Sequence, residues 1–423
     1  DALRGPAEAG RATHMISYTW AYAVGDIAAS LSSFCERKGL DTGGVYIWMC
    51  ALCINQHRVQ EHAAKGQAVP FSEFEAAFEL RVRGIGSVLA MLAPWEKPLY
   101  VSRVWCVFEL YIATKTPGCT YDIILPSGEE GSFFRDLSTK GLSPLWSSLS
   151  DVKVQDAQAS VQADREQILQ MIRQGPGYAQ LNSKVRAEIQ GWFVHTAAQH
   201  LRKVLADTAV GAGAAEAAIG AAYRVLEYLV ALGRYAEAVE FCTLARSFGL
   251  ATIGEQHVGY GKIVACLATA TLAQGHVGDA IRLYQQAAAT IEKAAGKRSI
   301  AYGSTISDLA GALHQNGDLQ RARDTYEQAL EILEATAGKQ SPSYLSALSN
   351  LAGIAEELGQ LEYAADLYQR VLVAEGAADS PKYAATLGNF AGVRRARGDL
   401  GGAVDLYERA LAVEANTIGE ESE

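Results

Sequence analysis

The strongest constraint in this chain is a spacing. Gly233, Gly275, Gly317 and Gly359 recur every 42 residues, and Gly398 follows after 39. Tyr284, Tyr326, Tyr368 and Tyr407 keep that register, as do Tyr260, Tyr302, Tyr344 and Tyr383. Within each unit an apolar helical stretch such as Tyr344–Leu358 meets the glycine and resumes as a second one, Leu361–Val373. The glycine supplies the backbone freedom that a tight helix–helix turn needs. One such hairpin cannot bury its apolar face alone, so registered hairpins must stack into an all-α solenoid of about five units.

These units resemble tetratricopeptide repeats, in the longer form found in kinesin light chains. The resemblance rests on Asn350–Leu351–Ala352, Gly359, Ala364–Ala365, Leu367–Tyr368 and Val371–Leu372, echoed in the other units over roughly residues 214–415. It implies a groove, lined by the first helix of each hairpin, that takes a protein partner. The matching groove positions are Asp308, Asn350 and Asn389, one per successive unit. The plainer reading of each is a polar tie between neighbouring repeats.

The first half of the chain has a different rhythm. His14–Tyr18, Val45–Ile54, Gly86–Leu92 and Tyr121–Leu125 read as strands, with helices over Ala23–Lys38, Phe71–Arg83 and Ser102–Ala113 between them. That alternation predicts an α/β domain with a mostly parallel sheet. Ligands of such sheets sit outside the carboxyl ends of the strands, where Trp20 and the trio Asn55, Gln56 and His57 fall. The domain order expected is a leader over 1–12, the α/β domain over 13–125, a connecting and helical region over 126–205, and the solenoid over 206–423. Residues 126–144, rich in Gly, Ser and charge, read as connection, followed by helices over Asp164–Gln174 and Ser183–Val204.

The segment Ser102–Ala113 is apolar on nearly every side yet carries Glu109, on one face with Trp105, Phe108 and Ile112. Burial disfavours a charged carboxylate and raises its pKa, and carboxyls of this kind collect at functional sites.

Trp48 to Gln56 resembles the signature of the fungal heterokaryon-incompatibility domain, a strand that usually reads Trp-Ile-Asp-Ala-x-Cys-Ile-Asn-Gln, and Arg103–Val104–Trp105 with Glu109–Leu110 resembles that family's later helix. Ile16–Ser17–Tyr18 and the Ser102, Trp105–Cys106, Glu109 pattern equally resemble TIR domains, which share the fold. The TIR resemblance implies NAD⁺ cleavage in some members and adaptor assembly by self-association in others. In cleaving members the helix glutamate is essential, and Glu109 matches it; Ser17, Trp20, Asn55, Gln56 and Trp105 are the positions that would hold the nucleotide. A carboxylate under the ribose stabilises the oxocarbenium-like charge that forms as the nicotinamide bond breaks. The strand departs from the heterokaryon pattern at Cys50, where a thiol replaces the usual Asp and offers neither its charge nor its hydrogen bonds.

Other chemistries fit less well. Cys50 and Cys53 are three apart in a strand, so their thiols diverge, and no second pair completes a zinc site; no metal is expected. A net charge of −10 and no basic stripe argue against nucleic acid. The longest apolar runs are too short to span a bilayer. Seven cysteines without framework spacing point to reduced thiols in an intracellular compartment. The cytoplasm is the first expectation, or an organelle if a targeting peptide has been removed. Two functions stay open: a scaffold or adaptor whose solenoid binds a protein partner, its α/β domain acting as an assembly module or degenerate nucleotide-binding domain, and an NAD(P)⁺ glycohydrolase using Glu109.

Overall fold

The computed structural model describes residues 11–19, 22–49, 71–150, 153–159, 162–376 and 380–422. The chain divides into two compact units, residues 1–195 and 196–421.

The first unit is built on four strands, β1 (His14–Ser17), β2 (Ile47–Met49), β3 (Ser87–Met91) and β4 (Thr120–Ile124). All pairings are parallel and the order is β2-β1-β3-β4, with Ile16 opposite both Met49 and Leu89, and Ala90 opposite Ile123. Helices α1 (Val24–Lys38), α2 (Phe71–Ile85) and α3 (Val104–Lys115) alternate with these strands. Parallel strands need such crossovers, and a sheet covered on both faces reads as continuous apolar sequence. Ile27, Phe34 and Cys35 of α1 pack with Ile16, Leu89, Met91 and Ile124 in one core cluster.

Helix α3 buries Val104, Cys106, Val107, Phe108, Leu110, Ile112 and Ala113, which together leave almost no polar face. Its Phe108 meets Phe78 of α2 with ring centroids 5.3 Å apart.

Residues 126–144 are not a plain connection. They contain helix α4 (Ser127–Thr139), whose Phe133 and Leu137 are buried. Gly128 and Gly131 disguise it in the sequence, but Phe133 and Leu137 at a spacing of four supply the apolar stripe that makes a helix worthwhile. Helices α5 (Ser143–Ser150), α6 (Gln162–Gln174) and α7 (Tyr178–Leu205) follow. Phe133 stacks edge-on against Trp95 and against Phe193 at 5.3 and 5.1 Å, and Trp192 donates to Asp122 of β4 at 2.8 Å, so this segment is part of the first unit's own packing.

The second unit contains five helical hairpins: α8 (Ala212–Ala231) with α9 (Tyr235–Thr252), α10 (Val258–Ala273) with α11 (Val277–Ala295), α12 (Ile300–Gln315) with α13 (Leu319–Thr336), α14 (Pro342–Glu357) with α15 (Leu361–Glu375), and α16 (Pro381–Ala396) with α17 (Leu400–Ser422). The registered glycines sit at the turns with φ of 70° (Gly233), 86° (Gly275), 81° (Gly317), 74° (Gly359) and 84° (Gly398), a region that penalises any side chain. A second series, Gly254, Gly296 and Gly338, repeats between hairpins with φ of 83°, 80° and 85°. From the second hairpin on, each opens on an N-cap in register. Ser299, Ser341 and Ser380 accept from the backbone N–H three residues on, and His257 caps the corresponding helix by accepting from Gly259 N–H. The last three hairpins share a continuous core running from Ala310 through Leu351 to Ala410.

Candidate functional site

The first unit's strand order reverses at the β1/β3 boundary, and such switch points leave a crevice at the carboxyl ends of the strands. Ser17 is the last residue of β1 and stands there, 1% exposed. Its hydroxyl donates to Glu109 Oε2 from the middle of α3. A hydroxyl has one proton to give, so the 2.7 Å contact between Ser17 and Tyr100 is a bond in which Tyr100 donates. Tyr100 comes from a 3-10 turn, Leu99–Ser102, just ahead of α3, and is fully buried. A strand end, a turn and a helix thus supply three side chains to one chain of hydrogen bonds, Tyr100 to Ser17 to Glu109.

Glu109 keeps a little exposure, but burial pushes its pKa up to about 7, against the opposing pulls of the Ser17 hydrogen bond and the positive charge of Arg103. A carboxyl poised near neutrality can accept or return a proton at physiological pH. Burial also raises the hydroxyls of Tyr100 and Tyr121 and the thiol of Cys106, whose Sγ lies 3.6 Å from the Tyr18 carbonyl. A thiol held neutral in this way is not a nucleophile.

Of the residues that the sequence nominates here, Ser17 and Glu109 come together. Trp105 lies on the same helix with its ring edge-on to Phe108 at 5.7 Å, and it hydrogen-bonds Asp164 of α6. Trp20, Asn55 and Gln56, with Cys50, Cys53 and His57, lie outside the described residues. Tyr100 was not nominated, because a lone tyrosine in a short turn carries no periodic signal. Among the described residues, no group of three or more His, Cys, Asp or Glu side chains is placed to hold a metal ion.

The second candidate surface is the face made by the first helices of the hairpins. Asp308 of α12, Asn350 of α14 and Asn389 of α16 occupy one register position, and all three are exposed. The same position on α10 is Cys266, which is buried. Asn350 is also a tie between repeats, since it hydrogen-bonds Tyr326 of the preceding hairpin. Asp308 lies near enough to Tyr223, Cys266, Tyr284 and Tyr326 for its charge to raise all four. Protein crowds around it although its surface is open, and burial pushes its carboxyl up to about 7. Glu227 of α8 acts on Tyr223 and Cys266 in the same sense, while Lys262 of α10, 5.1 Å over the Tyr223 ring, acts against it on Cys266.

Residues 299–374 match the family model described as tetratricopeptide repeat. The second unit carries tetratricopeptide repeats. Solved structures similar to the chain include BtubC (BKLC) from P. vanneervenii, at 20% identity and a TM-score of 0.48, over 55% of this chain and 92% of that one. Another is a kinesin-light-chain candidate from Podosopora anserina with nearly identical TPR-like repeats, at 25% identity and a TM-score of 0.40, over 46% of this chain and 94% of that one. No curated protein matches the chain. Repeats of this family present surfaces to protein partners, and among the described residues no helix is long and apolar enough to cross a membrane.

Proposed function

We propose that this chain is a protein-interaction scaffold whose repeats hold a protein partner on the face carrying Asp308, Asn350 and Asn389. One observation carries the reading: these three side chains are exposed at one register position on the first helices of three successive hairpins. A row of polar groups at a fixed spacing suits the repeating amides of an extended peptide. The first unit, TIR- or heterokaryon-incompatibility-like in its motifs, then serves as an assembly module that self-associates or as a degenerate nucleotide-binding domain. The free thiols of Cys35, Cys106, Cys119, Cys242 and Cys266 fit a reducing compartment such as the cytoplasm.

The test is affinity capture by the full chain beside its Asp308→Lys/Asn350→Lys/Asn389→Lys version, with circular dichroism to show equal folding. A partner retained by the first and lost by the second is the expected result. Identical captures would remove the repeat face from the account.

A second reading is favoured by the Ser17–Glu109 contact at the β1/β3 switch point. In it the first unit cleaves NAD⁺ or NADP⁺, Glu109 stabilising the positive charge on the ribose, and the repeats regulate or localise the activity. Ser17 orients the carboxyl, while Trp105 with Trp20, Asn55 and Gln56 holds the nucleotide. Only ionised Glu109 could stabilise a cation, so any turnover should rise with pH through about 7. A rise in the first unit's melting temperature on adding NAD⁺, lost in Ser17→Ala, would support this reading.

A further inference from the structure

The repeat face uses one local pattern several times, and one hairpin departs from it at two positions together. Asp308 of α12 corresponds to Asn350 of α14, Tyr284 of α11 to Tyr326 of α13, and Thr269 of α10 to Gly311 of α12, each pair 42 residues apart. At Gly311 the place where a side chain would begin is crowded by the Tyr326 hydroxyl, 3.1 Å from an added Cβ. That hydroxyl is hydrogen-bonded to Asn350 and so ties the third hairpin to the fourth.

One hairpin earlier the equivalent tyrosine is diverted. Thr269 stands at the Gly311 position, and its Oγ1 lies 2.8 Å from the Tyr284 hydroxyl. The threonine gives its own proton to the Ala265 carbonyl at 3.1 Å, so within this pair Tyr284 is the donor. Tyr284 then has no proton left for Asp308, and Asp308 takes no hydrogen bond or ion pair from any of the described residues. Nor does a cation of the protein act on it. Lys262 of α10 lies 5.1 Å over the Tyr223 ring, and burial alone, unopposed by any positive charge, raises the Asp308 carboxyl. A carboxyl crowded by protein and left without a partner is costly, and a cation brought to it offsets that cost and holds it ionised. Asn350, at the same register position, already has its tyrosine.

We propose that Asp308 is the point on the repeat face that receives a basic side chain, lysine or arginine, from the bound partner, and that Thr269 keeps it open by holding the Tyr284 hydroxyl elsewhere. This rests on the partner reading of the face and gives that partner a chemistry. It carries a positive charge where it crosses α12 and uncharged polar groups where it crosses Asn350 and Asn389. A charge matched at one point of a groove also fixes the register in which an extended chain lies there.

The probe is a phage-displayed library of random peptides, panned on the full chain, with the enriched sequences synthesised and titrated by fluorescence anisotropy. Those sequences should share a Lys or Arg at one fixed position. Asp308→Asn installs the residue that α14 and α16 already carry at this position, so the melting curve should hold while the chosen peptide weakens about tenfold. Replacing the peptide's basic residue by norleucine should cost the same in the wild type and nothing further in Asp308→Asn, the mark of a direct pair. Panning on Asp308→Lys should turn the preference at that position to Asp or Glu. Peptides that Asn350→Lys and Asn389→Lys weaken but Asp308→Asn leaves unchanged overturn the role of Asp308 and keep the repeat face as a binding surface. An absence of enriched peptides, or peptides that none of these substitutions weakens, removes the face itself and the role of Asp308 with it.

Discussion

In the repeat unit several polar contacts recur in register, while the hydrogen-bond chain at the centre of the α/β unit exists once. Ser299, Ser341 and Ser380 cap three helices in the same way, and Arg370 and Arg409 reach Tyr344 and Tyr383 across the same interval. Ser17, Tyr100 and Glu109 form a single chain of hydroxyls and carboxyl with no second copy. Redundancy spreads energy over many small terms that couple only to their neighbours. A single buried network concentrates it, and lets one proton change the balance. Substitutions in the two units should therefore fail in different ways.

The largest effect should come from the shared core of the repeats. Leu351 is 1% exposed in the middle of the continuous cluster, so Leu351→Ala should cost about 2–5 kcal/mol, read as an earlier denaturant midpoint for the helical unit. If the repeats behaved as independent hairpins, that loss would stay local to α14 and α15 in hydrogen exchange; coupling requires α13 and α16 to lose protection too.

The next effect is a pH dependence, read in the α/β unit. The ordinary carboxyl value of 4.5 describes Glu109 in the unfolded chain, and the folded value is about 7. The folded state holds the extra proton between those values, so its stability falls as pH rises from about 4.5 to about 7. Glu109→Gln should flatten that slope by about 1–3 kcal/mol, measured by denaturation of the first unit at pH 5 and pH 8. An unchanged slope would mean that the carboxyl is not buried as described.

The smallest effects should again fall in the repeats. Gly359→Ala forces a side chain into a turn with φ of 74°, and Ser341→Ala removes one N-cap; each should cost about 1 kcal/mol. The two sites lie at opposite ends of α14 with no shared contact, and the double variant should show their sum. A loss well beyond the sum would reveal tighter coupling between turn and cap than nearest-neighbour stacking allows.

The same difference decides what the sequence discloses. Glycines and tyrosines at intervals of 42 announce the repeats because the same steric demand is met at every turn. The four strands are legible as apolar runs, and α3 as a helix with one misplaced charge. Helix α4 is hidden, since Gly128 and Gly131 mask the stripe of Phe133 and Leu137. Tyr100 is hidden for a different reason: only the tertiary fold brings a turn residue to Ser17, from 83 positions away.

The proposed function rests on the surfaces of the repeats, and its rival is chemistry at Glu109. Free nicotinamide released from NAD⁺ and NADP⁺ by the purified full chain, at protein concentrations high enough for self-association, measures this most directly. The account predicts release indistinguishable between wild type and Glu109→Gln. Release by the wild type that vanishes in Glu109→Gln would contradict it and place the function in the α/β unit.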